Sequence, residues 1–302
     1  SLNGPTFEAY QPLLKAAGVE HLFHRTGQLF LYQSDESRKK DALGIELRAM
    51  TGQRCDVLNK DEIRQLEPAL APVFESAILM PDHGHCKNPF GLVQALAQLF
   101  TRSGGTYLNR EVRGFEMGSN GPTKLRTDQG DLPVEDVVIA GGAWSNTLTK
   151  QLGHSVPLES HRGYHVTVED PGIVPRIMCF PIEHKFAITP MEMGLRIGGT
   201  VELAGLDAEP NYERARVLLR MGKRLIPGLK PDKFTEWMGH RPCHPDSLPV
   251  IGGSPKWKNV FFAFGHGHQG LLGASQTGKV LSELLSGKPL SMDLTPFRVD
   301  RF

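Results

Sequence analysis

Asn259-Val-Phe-Phe-Ala-Phe264-Gly265-His266-Gly267-His268-Gln269-Gly270 is the stretch on which the fold turns. Val260 to Phe264 is an unbroken apolar run rich in aromatic residues, the pattern of a buried strand, and it breaks at Gly265. A helix is expected from about Gly270 to Ser286, ended by Gly287. Between strand and helix, residues 265–270 spell GxGxxG. Such a corner points backbone N–H groups and the positive end of a helix dipole at an anionic or electron-rich ligand. A nicotinamide-type fingerprint also needs a βαβ unit and an acidic ribose ligand about 20 residues on, and only Glu283, inside the helix, lies near that distance. The corner is therefore a ligand-facing helix start and not a first dinucleotide turn.

A second corner of the same kind lies upstream. Val137-Val-Ile-Ala140 is wholly apolar, runs into Gly141-Gly142, and is followed by a helical stretch from Trp144 to Leu152, as when a buried parallel strand feeds a helix. Ahead of it, Asn88-Pro89 supplies a cap residue and a first-turn proline. Leu92, Val93, Leu96, Leu99 and Phe100 then recur at helical spacing up to Gly104-Gly105. Tyr107 to Met117, a turn at Asn120-Gly121 and Lys124 to Thr127 predict a β-meander. Short apolar runs between 158 and 199, separated by Pro and Gly, predict an antiparallel sheet, and a helix follows from about Glu209 to Leu225. Trp237 to Pro249 is polar and marked by prolines. Nearer the start, a short helix around Tyr10 to Ala17 and a strand at Leu29 to Gln33 precede a charged, helix-prone segment from Glu36 to Leu66, interrupted by Gly52.

Composition narrows the partners. Among 302 residues, 34 Lys+Arg stand against 33 Asp+Glu, and the formal charge of +1 gives no footprint for nucleic acid or an anionic membrane. Small molecules are the expected ligands. No apolar stretch approaches the roughly 18 to 20 residues of a spanning helix, and Ser1 to Tyr10 lacks a signal-peptide layout, so a cytoplasmic location is expected. Cys55, Cys86, Cys179 and Cys243 form no CxxC and suggest no disulfide framework. His83, His85, His240, His244, His266 and His268 show no zinc spacing, so no metal is expected. Gly273 to Lys279 matches GxxxxGK, but Val280 stands where a phosphate loop needs Ser or Thr. Arg241, in Gly239-His-Arg-Pro242, offers a planar fork suited to a carboxylate.

Taken together, these residues resemble the D-amino-acid oxidase and dehydrogenase-like flavoproteins, which include glycine and sarcosine oxidases. The resemblance is carried by Val137 to Trp144, Arg162-Gly-Tyr-His165, Arg196 to Glu202, Gly239 to Pro242 with Asp246, Pro249 to Gly252, and Asn259 to Gly273. It implies an α/β plus α+β fold: a partial, Rossmann-like FAD-binding domain of the glutathione-reductase type over 86–156 and 241–302, and an antiparallel-sheet substrate domain over 1–85 and 157–240. It also implies that Val112 sits by the adenine of FAD and that Ala140, Gly141, Gly142 and Trp144 lie along the cofactor. Gly265, His266, Gly267, His268, Gln269 and Gly270 would face the flavin, with His268 an electrostatic neighbour. Arg241 would clamp the substrate carboxylate and Tyr164 would be a second contact.

The implied activity is FAD-dependent oxidation of a D-amino acid or related amine-carboxylate by hydride transfer to flavin N5. A non-catalytic subunit of a multi-subunit dehydrogenase and a 2-hydroxy-acid dehydrogenase of the same superfamily are the alternatives. A homo-oligomer or an electron-acceptor partner fits the family. Its opening βαβ unit with GxGxxG has no counterpart here, so the chain is expected to be an N-terminally truncated form, poor in cofactor and inactive alone.

Overall fold

A computed structural model describes residues 2–302. Its largest element is an eight-stranded sheet in the order Phe234–Cys243, Glu159–Val168, Gly194–Leu203, Phe186–Met191, Met178–Pro181, Gln28–Tyr32, Ser76–Met80, Asp56–Asn59. All neighbours run antiparallel except Met178–Pro181 beside Gln28–Tyr32. One face is closed by the helix Glu213–Leu225. The helix is strongly basic overall, yet Ala215, Leu218, Gly222 and Leu225 recur every three or four residues and form one buried stripe. That stripe packs on Tyr164, Val166, Val168, Leu195 and Ile197, all at most 1% exposed. At Gly222 the helix comes so near the sheet that a Cβ would overlap Ile197 Cδ1.

The second body is smaller. Val260–Phe264 is its central strand, antiparallel to Val250–Gly253 and parallel to Val137–Ile139. Phe262, Phe264, Val250, Val137 and Ile139 build its core, to which the meander Val112–Gly118, Gly121–Thr127, Gly130–Pro133 adds Phe115. The helix Gly270–Leu285 follows the central strand as expected, and the GxxxxGK residues lie inside it. Asn88 Oδ1 accepts from Gly91 N at 2.8 Å and so starts the helix Pro89–Arg102.

Four expectations change. Val137–Ile139 pairs in parallel as foreseen, but Val138 is 38% exposed and Ala140 is exposed. Among the described residues the strand has a neighbour on one side only, so it is half-buried. The charged, helix-prone segment 36–66 breaks near Gly52 as expected, but beyond the short helices Asp35–Lys40 and Ala42–Met50 it forms the edge strand Asp56–Asn59 before the helix Lys60–Leu66. The first part of the polar, proline-marked stretch Trp237 to Pro249 belongs to the ten-residue strand Phe234–Cys243, which runs unbroken through the expected domain boundary at 240 and 241. As an edge strand it tolerates Pro242. The helix Thr6–Ala17, assigned from sequence to the sheet domain, packs instead on Gly270–Leu285 and Pro89–Arg102, with Tyr10 donating to Leu271 O at 2.7 Å.

Candidate functional site

Arg241 stands near the end of the edge strand Phe234–Cys243. Side chains on paired antiparallel strands share a face at each register position, so Arg241 lies on the face of His161, Gly163 and His165, opposite the helix-covered core. Its guanidinium crosses over Gly163 on the neighbouring strand and Nη1 donates to Thr200 O on the third strand at 3.1 Å. A Cβ at Gly163 would overlap the guanidinium carbon. The carbonyl it reaches is unusual too. Thr200 holds φ at +60° opposite an irregularity in the pairing of Arg162 and Tyr164 with Gly194–Leu203, and its hydroxyl is buried with no partner. Burial lowers the Arg241 pKa, with the Cys243 thiol opposing. No carboxylate of the described residues pairs with this half-buried cation, which still has donors to offer.

The two glycine corners leave the same edge of the small sheet, because the strands that feed them are parallel neighbours. Both reach the end of the Arg241 strand, on opposite faces of it. Trp144 packs edge-on against His240, 5.1 Å between ring centres, and His240 points away from Arg241 and bonds Ser160 Oγ at 2.7 Å. His268, in the other corner, lies 6.5 Å from His161 on the Arg241 face. Only the corner at residues 265–270 thus opens beside the guanidinium. A cleft of about 430 Å³ lies here, walled by Pro157, Glu159, His161, Cys243, His244 and His268.

His266, His268 and His244 at this corner all have lowered pKa values. Burial pushes His266 down to about 4, with His244 adding to it; burial, then Arg241 and His161, lower His268. Thr277 gives its proton to Gly273 O at 2.8 Å, so its oxygen accepts from His266 Nε2 at 3.0 Å. His244, 4% exposed, donates from Nδ1 to Pro157 O at 2.9 Å, and its Nε2 lone pair is buried without a partner against Gly265. Gly265 and Gly267 hold φ at +82° and +54°, where a side chain is strained.

These residues fit a flavin. The helix Gly270–Leu285 starts without a side-chain cap, so its first N–H groups and dipole face the turn. At Gly142, φ is +56° and the space a Cβ would take is open, and Ser145 Oγ beneath that corner is buried and unpartnered. Such donors suit a ring that gains negative charge on reduction. Val112 opens the separate meander, paired with Thr127.

Tyr164 does not reach this site. Its side chain occupies the other face of the sheet, 1% exposed, where its hydroxyl donates to Glu202 Oε2 and accepts from Asn211 N at 3.0 Å. A substrate contact expected of Tyr164 is therefore replaced by a structural role, because residue 164 has the opposite strand parity to Arg241's partner, residue 161. Gly163, Thr200 and Ser145 were not singled out from sequence, although Gly163 lies inside the Arg162 to His165 motif and Thr200 inside the Arg196 to Glu202 motif, and His244 was weighed only as a metal ligand. No group of three or more His, Cys, Asp or Glu among the described residues is placed to hold a metal, and no helix among them is long and apolar enough to cross a membrane.

Comparison with known proteins gives the family. Residues 1–284 match the family model described as FAD dependent oxidoreductase, DAO. A D-amino-acid oxidase of Bradyrhizobium diazoefficiens is 37% identical over 297 residues, covering 97% of this chain and 70% of that protein. A D-amino acid dehydrogenase of Rhizobium rhizogenes is 28% identical over 290 residues, covering 94% of this chain and 70% of its own length. The crystal structure of glycine oxidase from Geobacillus kaustophilus covers the whole chain and 81% of its own, with a TM-score of 0.88 at 24% identity, a likeness of fold.

Proposed function

The chain belongs to the DAO family of FAD-dependent oxidoreductases, and from that premise we propose that it oxidises a D-amino acid or a closely related amine-carboxylate. The observation that carries this reading is Arg241: a half-buried guanidinium, fixed across Gly163 to Thr200 O and lacking a carboxylate of its own, beside the 265–270 corner. A substrate carboxylate completes it with charge-assisted hydrogen bonds.

The 265–270 corner, with Ala140, Gly141, Gly142 and Trp144, would hold FAD, which would supply the two-electron acceptor for the hydride that leaves the substrate α-carbon. The chain's own work is positioning. Arg241 fixes one end of the substrate so that its α-carbon is presented to the corner, which converts an encounter into a near-attack geometry. The amine enters neutral, so no strong base is required, in keeping with the lowered pKa values of His268 and His266. Because His268 is neutral, stabilisation of developing negative charge falls to the backbone N–H groups and the helix start at Gly270. We take residues 86–156 and 244–302 as the FAD-binding part and the eight-stranded sheet, with Arg241 on its edge strand, as the substrate-binding part.

The test is turnover of D- and L-amino acids by the FAD-loaded protein with an artificial electron acceptor. Arg241→Met is expected to remove turnover while flavin stays bound. Unchanged kcat/KM in that variant, or a preference for amines without a carboxylate, overturns the reading.

A further inference from the structure

Trp237 and Arg241 stand on one strand and one face, two positions either side of Gly239. Gly239 pairs across the strands with Gly163, so the sheet surface between them is bare backbone. Both bare positions are covered from above. The Arg241 guanidinium lies over Gly163, and the six-membered ring of the Trp237 indole lies over Gly239, each where the missing Cβ would be. Directly opposed Cβ positions are about 5 Å apart, which sets the spacing of guanidinium and indole. His165, the cross-strand partner of Trp237, stacks on the indole at 4.9 Å between ring centres and 23° between planes. Burial, with Arg196 and Arg241, pushes His165 down to about 4, so the stack is uncharged at neutral pH. Trp237 nevertheless remains 55% exposed.

We propose that Trp237, backed by His165, is the wall that selects the substrate's side chain and favours an apolar or aromatic group over an acidic one. This rests on the reading that Arg241 takes the substrate carboxylate. With the carboxylate on the guanidinium, substituents of the α-carbon lie within reach of an indole about 5 Å away. An aromatic side chain there gains ring contact and leaves water, whereas a second carboxylate meets a π face and a neutral imidazole. Arg196, farther along the same face and bonded to Thr167 Oγ1 at 3.4 Å, is the group an acidic side chain would have to reach past the wall.

The experiment measures binding of phenylacetate, acetate and succinate to the FAD-loaded protein by calorimetry, which reads affinity without turnover. Phenylacetate is expected to bind on the order of 10- to 100-fold tighter than acetate, the usual worth of a filled apolar contact. Trp237→Ala should bring that ratio to within about threefold, and Trp237→Phe, which keeps a ring and guards against an unfolded Ala variant, should retain most of it. An unchanged ratio in Trp237→Ala, a collapsed ratio in Trp237→Phe, or tighter binding of succinate than of phenylacetate overturns the wall. Binding of all three that survives Arg241→Met overturns the carboxylate reading instead.

Discussion

Arg241 reaches Thr200 by passing over Gly163: its Nη1 donates to the Thr200 carbonyl at 3.1 Å, across a strand whose residue at that point has no side chain. Three strands thus fix one guanidinium, and its position depends on what the middle strand lacks. Gly163→Ala tests this directly. The added methyl displaces the guanidinium by an ångström or more, and misplacement on that scale costs about 100-fold in kcat/KM. KM is expected to rise most, with flavin content unchanged; wild-type kinetics in this variant would show that Arg241 does not need the passage.

Tyr164 supplies the contrasting case. Its hydroxyl joins Glu202 and the Asn211 amide, while Arg214 Nε donates to the same carboxylate at 3.1 Å. Tyr164→Phe removes the hydrogen bond to the Glu202 carboxylate and the one from the Asn211 amide and is expected to cost about 1–3 kcal/mol of stability, read by denaturant melting. Substrate KM should not move. A large KM effect with an unchanged melting curve would return Tyr164 to the site.

Gly265→Ala acts on the cofactor side. The residue holds φ at +82° and a Cβ would overlap His244 Nε2, so the turn must shift or the imidazole must leave its bond to Pro157. Strain of this kind is worth about 1–3 kcal/mol. The variant is expected to lose stability and retain less flavin through gel filtration, whereas Gly130→Ala, also at positive φ but with open space around it, should lose stability alone.

Acid should weaken the fold through two half-buried imidazoles. His165 and His266 are each pushed down to about 4, mainly by burial, while in the unfolded chain they titrate near 6.5. Above about pH 6.5 both states are neutral and the contribution to stability is whole. As pH falls from 6.5 towards 4 the unfolded state binds protons first and stability declines, levelling below 4 for these two groups. Urea midpoints measured at pH 7, 5.5 and 4.5 should fall in that order. His266→Gln should flatten part of the decline; an equal slope in that variant excludes His266 as a source.

Much of the fold was legible where burial alternates or runs unbroken. Val260–Phe264, Gly270–Leu285 and Pro89–Arg102 fall where apolar pattern, glycine stop and Asn-Pro cap put them. The strand that carries Arg241 was not, because it lies at a sheet edge, includes Pro242, and has no buried residue to set a period. Asp56–Asn59 escaped for the same reason, being short and at the opposite edge. Arg241 could be named from its motif, but its neighbours could not. Which of Gly163 and Tyr164 shares its face depends on pairing register, and register between strands some 80 residues apart leaves no mark in either segment alone.

The paired glycines at 163 and 239 also bear on how selectivity in such an enzyme can change. Each is already roofed by another residue's side chain, so neither position can drift to alanine, serine or valine without evicting its roof. In a saturation library both should behave as frozen sites, although neither glycine offers a side-chain group to any ligand. Variation that retunes substrate preference is thereby channelled to positions 237 and 165, and an engineer seeking a new specificity should randomise the roof and leave the floor alone.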